Sequence, residues 1–358
     1  MPGRVPASKP KDETLCRRCQ DVEPAIVLRT EPLCIACFTK YAHTKVVKRL
    51  DTFRVRNAEL GGQRKLLLPL SLDTCSLALL HILSQHLRGQ IERTGRTGFK
   101  LHILHVCEQS SDLDANEAVL ANVKVRYPEH DYCTLPLSQA TSLEDVGALF
   151  PDVTGGAVGD DSSHQRLHQI LNSVKFATAR QDLARTLQVR LVVDHARRED
   201  CEAIVWSDST TKLAERTLAE TAKGRGFALP WLVADGNTPH GLTFYYPLRD
   251  LLTKEVEAYV SYMEPSMDNC IIKTDRRPIV STKNSTIDHL MQQYFESVEQ
   301  DYPSIVANVV RTTGKLKATS LEEMEQQCEL CNLPLQGQSP VKSRLCYGCI
   351  RNMPQASG

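Results

Sequence analysis

Two cysteine frames bracket this 358-residue chain, each written C-x2-C, fourteen residues, C-x2-C. The first is Cys16, Cys19, Cys34 and Cys37; the second is Cys328, Cys331, Cys346 and Cys349. Four thiolates arranged as two close pairs suit one tetrahedral Zn²⁺, because each C-x2-C turn lets both sulfurs reach the same ion. The linker between the pairs is long enough for a short β-hairpin that folds the second pair over the first. A single pair would be weak, but a matched double pair at both ends predicts two structural zinc ions. Two disulfide-bonded knobs are the competing reading, and it loses force in a reducing compartment.

Thirteen cysteines are present, and the five outside the frames, Cys75, Cys107, Cys133, Cys201 and Cys270, sit in apolar or mixed segments. Free cysteines there usually behave as small buried hydrophobes. The opening MPGRVPASKPKDE has no cationic start followed by an apolar run. Residues 66–83 are the one stretch with membrane-like hydropathy, and Pro69, Asp73 and His81 disfavour a bilayer span. A soluble, cytoplasmic setting without membrane contact is expected.

The length predicts one central domain with small appended modules. The expected divisions are 1–60 (zinc ribbon and basic helix), 61–260 (α/β domain), 261–320 (helical extension) and 321–358 (second ribbon). Net charge is zero, but residues 1–66 hold fourteen Lys/Arg against seven Asp/Glu. The excess surrounds the first frame, in Arg17, Arg18, Lys45, Lys48, Arg49, Arg54 and Arg56. Such a patch suits phosphate contacts. A solvated amphipathic helix accounts for it equally well, and both readings stay open.

YAHTKVVKRLDTF reads as a helix, with Val46, Val47, Leu50 and Phe53 on one side, and Gly61-Gly62 breaks the chain after it. RKLLLPL (64–70) is a continuous apolar run, as expected of a strand buried on both faces. A helix follows, with Ser71 or Asp73 as its N-cap. Further strands are predicted at 100–106, 131–137, 202–207 and within GLTFYYPL, and a loop at 151–163. Helices fill the intervals, and Pro303 starts a late one. Alternation at this spacing implies a doubly wound α/β sheet.

In such folds the ligand sits above the first strand–helix turn, where glycines let backbone N–H groups approach a phosphate. Here the turn reads Ser71, Leu72, Asp73, Thr74, Cys75, Ser76 and has no glycine. Leu72 would push toward the phosphate position, and Asp73 would repel the phosphate. The hydroxyls are more often ordinary caps. Nucleotide binding is disfavoured, and ATP is not expected as a cofactor.

The two frames, the strand–turn–helix near residue 66, KGRG (223–226), PLRDLLTKEVEAY (247–259) and YPSIVANVV (302–310) together resemble the PP-loop ATPases that thiolate tRNA. The resemblance covers nearly the whole chain and implies their fold. It is closer to the degenerate second subunits of the eukaryotic cytosolic enzymes than to the catalytic ones. Catalytic relatives carry Ser-Gly-Gly-x-Asp-Ser where this chain has residues 71–76. Their Gly-His-Asn-x-Asp-Asp falls here on Ser207, Asp208, Ser209, Thr210, Thr211 and Lys212, so the paired acids are replaced by a threonine and a lysine. They also place cysteines before that strand, whereas the helix around ATARQDLARTLQV has none, and Cys201 stands alone as a packing residue.

The resemblance thus implies a non-catalytic subunit of a heterodimer with a catalytic thiolase paralogue. It implies tRNA as substrate, with 2-thiolation of the wobble uridine to 5-methoxycarbonylmethyl-2-thiouridine in tRNAs for lysine, glutamate and glutamine. A thiocarboxylated ubiquitin-like sulfur carrier would be the donor. On this reading Lys223 and Arg225 are second-choice tRNA contacts after the basic residues of the ribbon. The alternatives are an active ATP-dependent enzyme with a rebuilt pocket and a free-standing zinc-ribbon RNA-binding protein.

Overall fold

A computed structural model describes residues 12–57, 64–107, 113–150, 160–272, 285–318, 320–321, 324, 326–335 and 343–353. In chain order the elements begin with a hairpin, β1 (Ile26–Leu28) and β2 (Glu31–Leu33), and α1 (Ile35–Arg49). Then come β3 (Lys65–Pro69), α2 (Thr74–Thr94), β4 (Lys100–Cys107), α3 (Leu113–Arg126) and β5 (Asp131–Pro136). Next are α4 (Glu144–Leu149), α5 (Asp160–Ser173), α6 (Ala177–Arg198), β6 (Ala203–Val205), α7 (Thr210–Ala222) and α8 (Leu229–Leu232). The chain continues with β7 (Gly236–Asn237), β8 (Thr243–Tyr245), α9 (Thr253–Ser261), α10 (Ile287–Asp301), α11 (Pro303–Thr313) and α12 (Tyr347–Ile350).

β3 is the organising strand. Leu66, Leu67 and Leu68 are all fully buried, so both faces of the sheet must be covered. The sheet runs β5-β4-β3-β6-β8-β7, parallel except for the short antiparallel edge strand β7. Strand alternation sends Leu67 to one layer, with Leu183, Leu187 and Leu191 of α6, and the second cysteine frame packs into that layer. Leu66 and Leu68 face the other, with Leu77 and Leu80 of α2, and Cys16 and Cys34 of the first frame pack there. The two frames therefore lie on opposite faces of the sheet.

The connection reverses direction between β3 and β6, which makes their carboxyl ends the switch point of the fold. α2 starts where expected because Asp73 is its N-cap and accepts from the Ser76 amide, while Ser76 returns a contact to the Asp73 amide. It ends at Gly95, whose φ of 69° is the left-handed conformation a C-cap requires. α11 starts on Pro303, as predicted. The predicted loop at 151–163 needs correction, since α5 begins at Asp160; its earlier residues, like Gly61-Gly62, lie outside the described residues. No helix among the described residues is long and apolar enough to cross a membrane.

α7 packs against α10 and α11 and carries Glu215 into that contact. Burial, opposed by Lys212 and reinforced by Glu296, Asp208 and Glu299, pushes its carboxyl up to about 8. A raised folded-state value favours the protonated form. Its stabilisation is complete below the ordinary value of 4.5 and is lost as pH rises through about 8. Glu215→Gln mimics the protonated acid, so the variant should gain thermal stability over the parent as pH rises from about 5 to about 9, by several degrees at the upper end. Melting curves across that range check the sign.

Candidate functional site

The two frames are built alike. In each, the first C-x2-C pair lies on a tight turn followed by a residue in the left-handed region, Gln20 (φ 55°) or Asn332 (φ 55°). That turn is closed by Gln20 N–H to Cys16 O and Asn332 N–H to Cys328 O. The second pair sits at a helix start, where Cys34 caps α1 and Cys346 caps α12. Backbone N–H groups there favour thiolates. The expected hairpin between the pairs is present in the first frame as β1–β2. In the second, part of the linker lies outside the described residues, and Gln327 and Pro334 form an isolated bridge.

Each set of four sulfurs lies within 4.8 Å of one another. A tetrahedral ion with M–S distances of about 2.3 Å separates its sulfurs by roughly 3.8 Å. Cys19–Cys34 and Cys331–Cys346 are each 3.8 Å apart, and all thirteen cysteines are free thiols. The residues fit a single ion in each frame. The settings differ, because Cys19 is exposed and Cys37 half-buried whereas all four sulfurs of the second frame are buried.

The second frame is anchored by charge. Arg190 of α6 donates to the carbonyls of Glu329 and Leu330 and to Asn332 Oδ1, and pairs with Asp145. Under α12, Lys223 and Arg225 meet Asp182, Glu220 and Asp288 at distances that include 2.9 Å (Lys223–Asp182), 2.6 Å (Arg225–Glu220) and 3.0 Å (Lys223–Asp288). Asn352 also bonds Asp182. Burial works against the Asp182 carboxylate, yet Arg225 and Lys223 hold it well below its ordinary value. Gly224 and Gly348 leave room for this packing: a β-carbon would come within 2.5 Å of Tyr347 at the first and 2.7 Å of Arg225 at the second. The expectation that Lys223 and Arg225 face RNA is corrected here. Both are buried, with no free surface to offer a phosphate.

The turn after β3 is filled by the protein itself. Leu72 has a φ of 58°, a conformation suited to glycine, but its side chain is fully buried in the core rather than aimed at the ligand position. The expected steric block therefore does not come from Leu72. Its carbonyl accepts from the Ile272 amide. The charge block is Asp73, whose carboxylate caps α2 and lies 2.5 Å from Lys212 Nζ in the first turn of α7. Burial disfavours the Asp73 carboxylate, but Lys212 and Ser76 hold it below its ordinary value; burial likewise works against the Lys212 ammonium, yet Cys75 and Asp73 raise it. Thr211, beside it, accepts from the Thr253 amide. Ser71 is exposed, Thr74 is half-buried, and burial pushes the Cys75 thiol up to about 12, leaving it an inert packing group. Cys201 is likewise buried, its thiol raised to about 11.

Beside the turn a cleft of about 550 Å³ opens at the carboxyl ends of β3 and β6. Ser71, Asp208 and Lys212 line it, as do Arg180, Arg185 and Arg216, which the sequence reading missed. The signal for Arg180 and Arg185 was the arginine-rich sequence of α6, whereas Arg216 stands on α7. Asp208 is spoken for, paired with Arg216 at 3.1 Å. The seven ribbon cations divide in the structure. Arg17, Lys48 and Arg56 are exposed, and Lys45 is half-buried, its Nζ 5.5 Å from the Tyr41 ring centre. Arg18 pairs with Glu31 (2.9 Å), Arg54 with Asp51 (2.5 Å), and Arg49 with Asp250 (2.8 Å) and Asp235 (3.3 Å).

Comparison with known proteins matches residues 286–344 to the family model described as cytoplasmic tRNA 2-thiolation protein 2. The protein of that name from Phaeosphaeria nodorum is 43% identical over 382 residues, covering 99% of this chain and 98% of its own. That from Pyrenophora tritici-repentis is 41% identical over 379 residues, covering 100% and 98%. The chain belongs to this family. Among solved structures, the U34-tRNA thiolase NcsA from Methanococcus maripaludis, determined with its [4Fe-4S] cluster, superposes with a TM-score of 0.59 at 15% identity, covering 94% of this chain and 95% of that one. This likeness establishes the shared α/β fold.

In this member of the cytoplasmic tRNA 2-thiolation protein 2 family, the unequal burial of the two frames has a direct consequence. A chelator should strip one metal equivalent quickly, from the frame with exposed Cys19, and the second slowly; Cys19→Ser should abolish the fast phase alone. Arg225→Met leaves Asp182 and Glu220 undercompensated and should cost about 3–5 kcal/mol of stability. It should also speed metal loss from the second frame, as read by denaturant unfolding and timed chelation.

Proposed function

We propose that this chain is the non-catalytic subunit of a cytoplasmic tRNA 2-thiolation enzyme. Family membership carries the role in tRNA 2-thiolation. The observation that supports the non-catalytic part is the Asp73–Lys212 pair. The helix start that would receive a phosphate already holds Asp73, and the position that would present a metal-binding acid presents Lys212, neutralised by that same aspartate. The chain would pair with a catalytic thiolase paralogue and help to hold tRNA while the wobble uridine of the lysine, glutamate and glutamine tRNAs is thiolated. A thiocarboxylated ubiquitin-like carrier would supply the sulfur. The exposed ribbon cations Arg17, Lys48 and Arg56, with Lys45, are the proposed RNA contacts of the first frame.

Zinc is the proposed ion in both frames. The 3.8 Å sulfur spacing suits one tetrahedral ion. An iron–sulfur cube, with irons at separate corners, needs its cysteine sulfurs spread farther apart. Zinc here would supply folding energy, not chemistry.

The cationic cleft beside the turn favours the second reading, an ATP-dependent enzyme with a rebuilt pocket. One experiment separates the two. Asp73→Asn combined with Lys212→Met removes both charges together, so neither is left buried alone. With the catalytic paralogue present, the double variant should thiolate tRNA at the parental rate, and the isolated parent chain should show no ATP binding by calorimetry. Loss of thiolation with intact subunit pairing, or ATP binding by the parent, would establish the enzyme reading instead.

A further inference from the structure

We infer that a built phosphate site, extending the ribbon contact at Lys45, lies where the first metal module, the α/β domain and the late helices meet, and that its ligand is an RNA backbone phosphate. The inference rests on the proposed role in holding tRNA. A pocket of about 360 Å³ opens there, and five cations line it: Arg29, Lys45, Arg49, Arg249 and Arg311. They come from three separated stretches of chain. Arg29 sits on the β1–β2 turn, Lys45 and Arg49 are on α1, Arg249 lies just before α9, and Arg311 is in the last turn of α11. A charge count within residues 1–66 could reach only the first three.

The carboxylates facing these cations are Asp235, Asp250 and Glu255. Asp250 pairs with Arg49 (2.8 Å) and Asp235 with Arg49 (3.3 Å) and Arg249 (3.5 Å), while Glu255 pairs with Arg29 (3.4 Å). Five cations against three anions leave two positive charges in excess. The unbalanced pair can be named, since among the described residues Lys45 and Arg311 have no carboxylate partner. Lys45 lies over Tyr41, and Arg311 donates to Asn308 Oδ1 at 3.3 Å.

The remaining ion pairs fix the wall of the site: all three Arg49 guanidinium nitrogens are taken up by Asp250 and Asp235, which leaves Lys45 and Arg311 as the donors for a ligand. Arg29 also donates to the Asp250 carbonyl (3.2 Å), and the Arg249 carbonyl accepts from Thr210 Oγ1 (2.7 Å). Gly314 gives Arg249 its place under the end of α11, where a β-carbon would stand 2.9 Å from the guanidinium. Fixed arginine forks beside two uncommitted charges suit a phosphate diester, which needs planar donors and a net positive field. The end of α11 contributes carbonyls equivalent to roughly half a negative charge, so the positive excess is somewhat below two but the field stays net positive. A phosphate bound here would join three parts of the chain, so RNA binding would also stiffen the seat of the first metal module.

The test uses the full-length chain with its catalytic paralogue and a tRNA transcript, with binding measured across a salt series. The combined variant Lys45→Gln with Arg311→Gln breaks no ion pair and should weaken tRNA binding about tenfold, while lowering the salt slope by roughly one to two units. Lys124→Gln, on α3 at the other edge of the sheet, should change neither quantity. Parental affinity and slope in the combined variant would overturn the site. So would stabilisation of the parent, but not the variant, by inorganic phosphate alone with RNA binding unaltered, because the pocket would then serve a free anion. No tRNA binding by the parental complex would overturn the underlying reading of function as well, and is distinguishable because it appears before any substitution.

Discussion

Three consecutive leucines on β3, buried on both sides, set the terms for everything else in this molecule. A strand without a solvent face cannot stand at the surface of a sheet, so the chain must supply two covering layers. It does so with helices on either side, and each layer ends in a cysteine frame. The metal modules are therefore the outer edges of the two layers, not beads attached to a finished domain. Their cysteine pairs close with the same turn and the same helix start, although one frame exposes Cys19 to water and the other is packed wholly into the apolar layer beneath α6 and α7.

The carboxyl ends of β3 and β6 have the geometry of a ligand site, with a cleft of about 550 Å³ beside the turn. Leu72 has a backbone conformation that glycine adopts without strain. Asp73 and Lys212 meet beside it, and each cancels the other's charge. Desolvation works against both groups, so removal of either partner would leave the other half-buried and uncompensated. The arrangement is self-consistent as structure, and it leaves no free positive end at the start of α2.

Much of the architecture was legible in sequence because it rests on local signals. The cysteine spacing, the apolar run at 66–68, the Asp73 cap and Pro303 each act over a few residues and were read correctly. The direction of the Leu72 side chain was not legible, because it depends on a left-handed backbone angle that a leucine seldom takes. The arginines of the cleft and of the seam pocket were missed for a different reason. Arg180, Arg185, Arg249 and Arg311 stand far from the frames in sequence, and only the fold brings them to shared sites.

Lys223 and Arg225 show why a basic sequence motif alone cannot identify an RNA surface. KGRG, with glycines that allow close approach, looks suited to a phosphate. Yet the acids that neutralise it are supplied from Asp182 on α6, Glu220 on α7 and Asp288 on α10. With Arg185 also on Asp288 (3.7 Å), three cations meet three carboxylates, so the charges balance within the protein. Gly224 serves a protein contact, to Tyr347, and Gly226 lies against Thr221. A cluster of this kind contributes little net stability while intact but is expensive to break. It therefore fixes the second frame in one position against α6, α7 and α10. Metal binding and packing at that end become one cooperative event, because the ion gathers the sulfurs and the ion cluster decides where the gathered module sits.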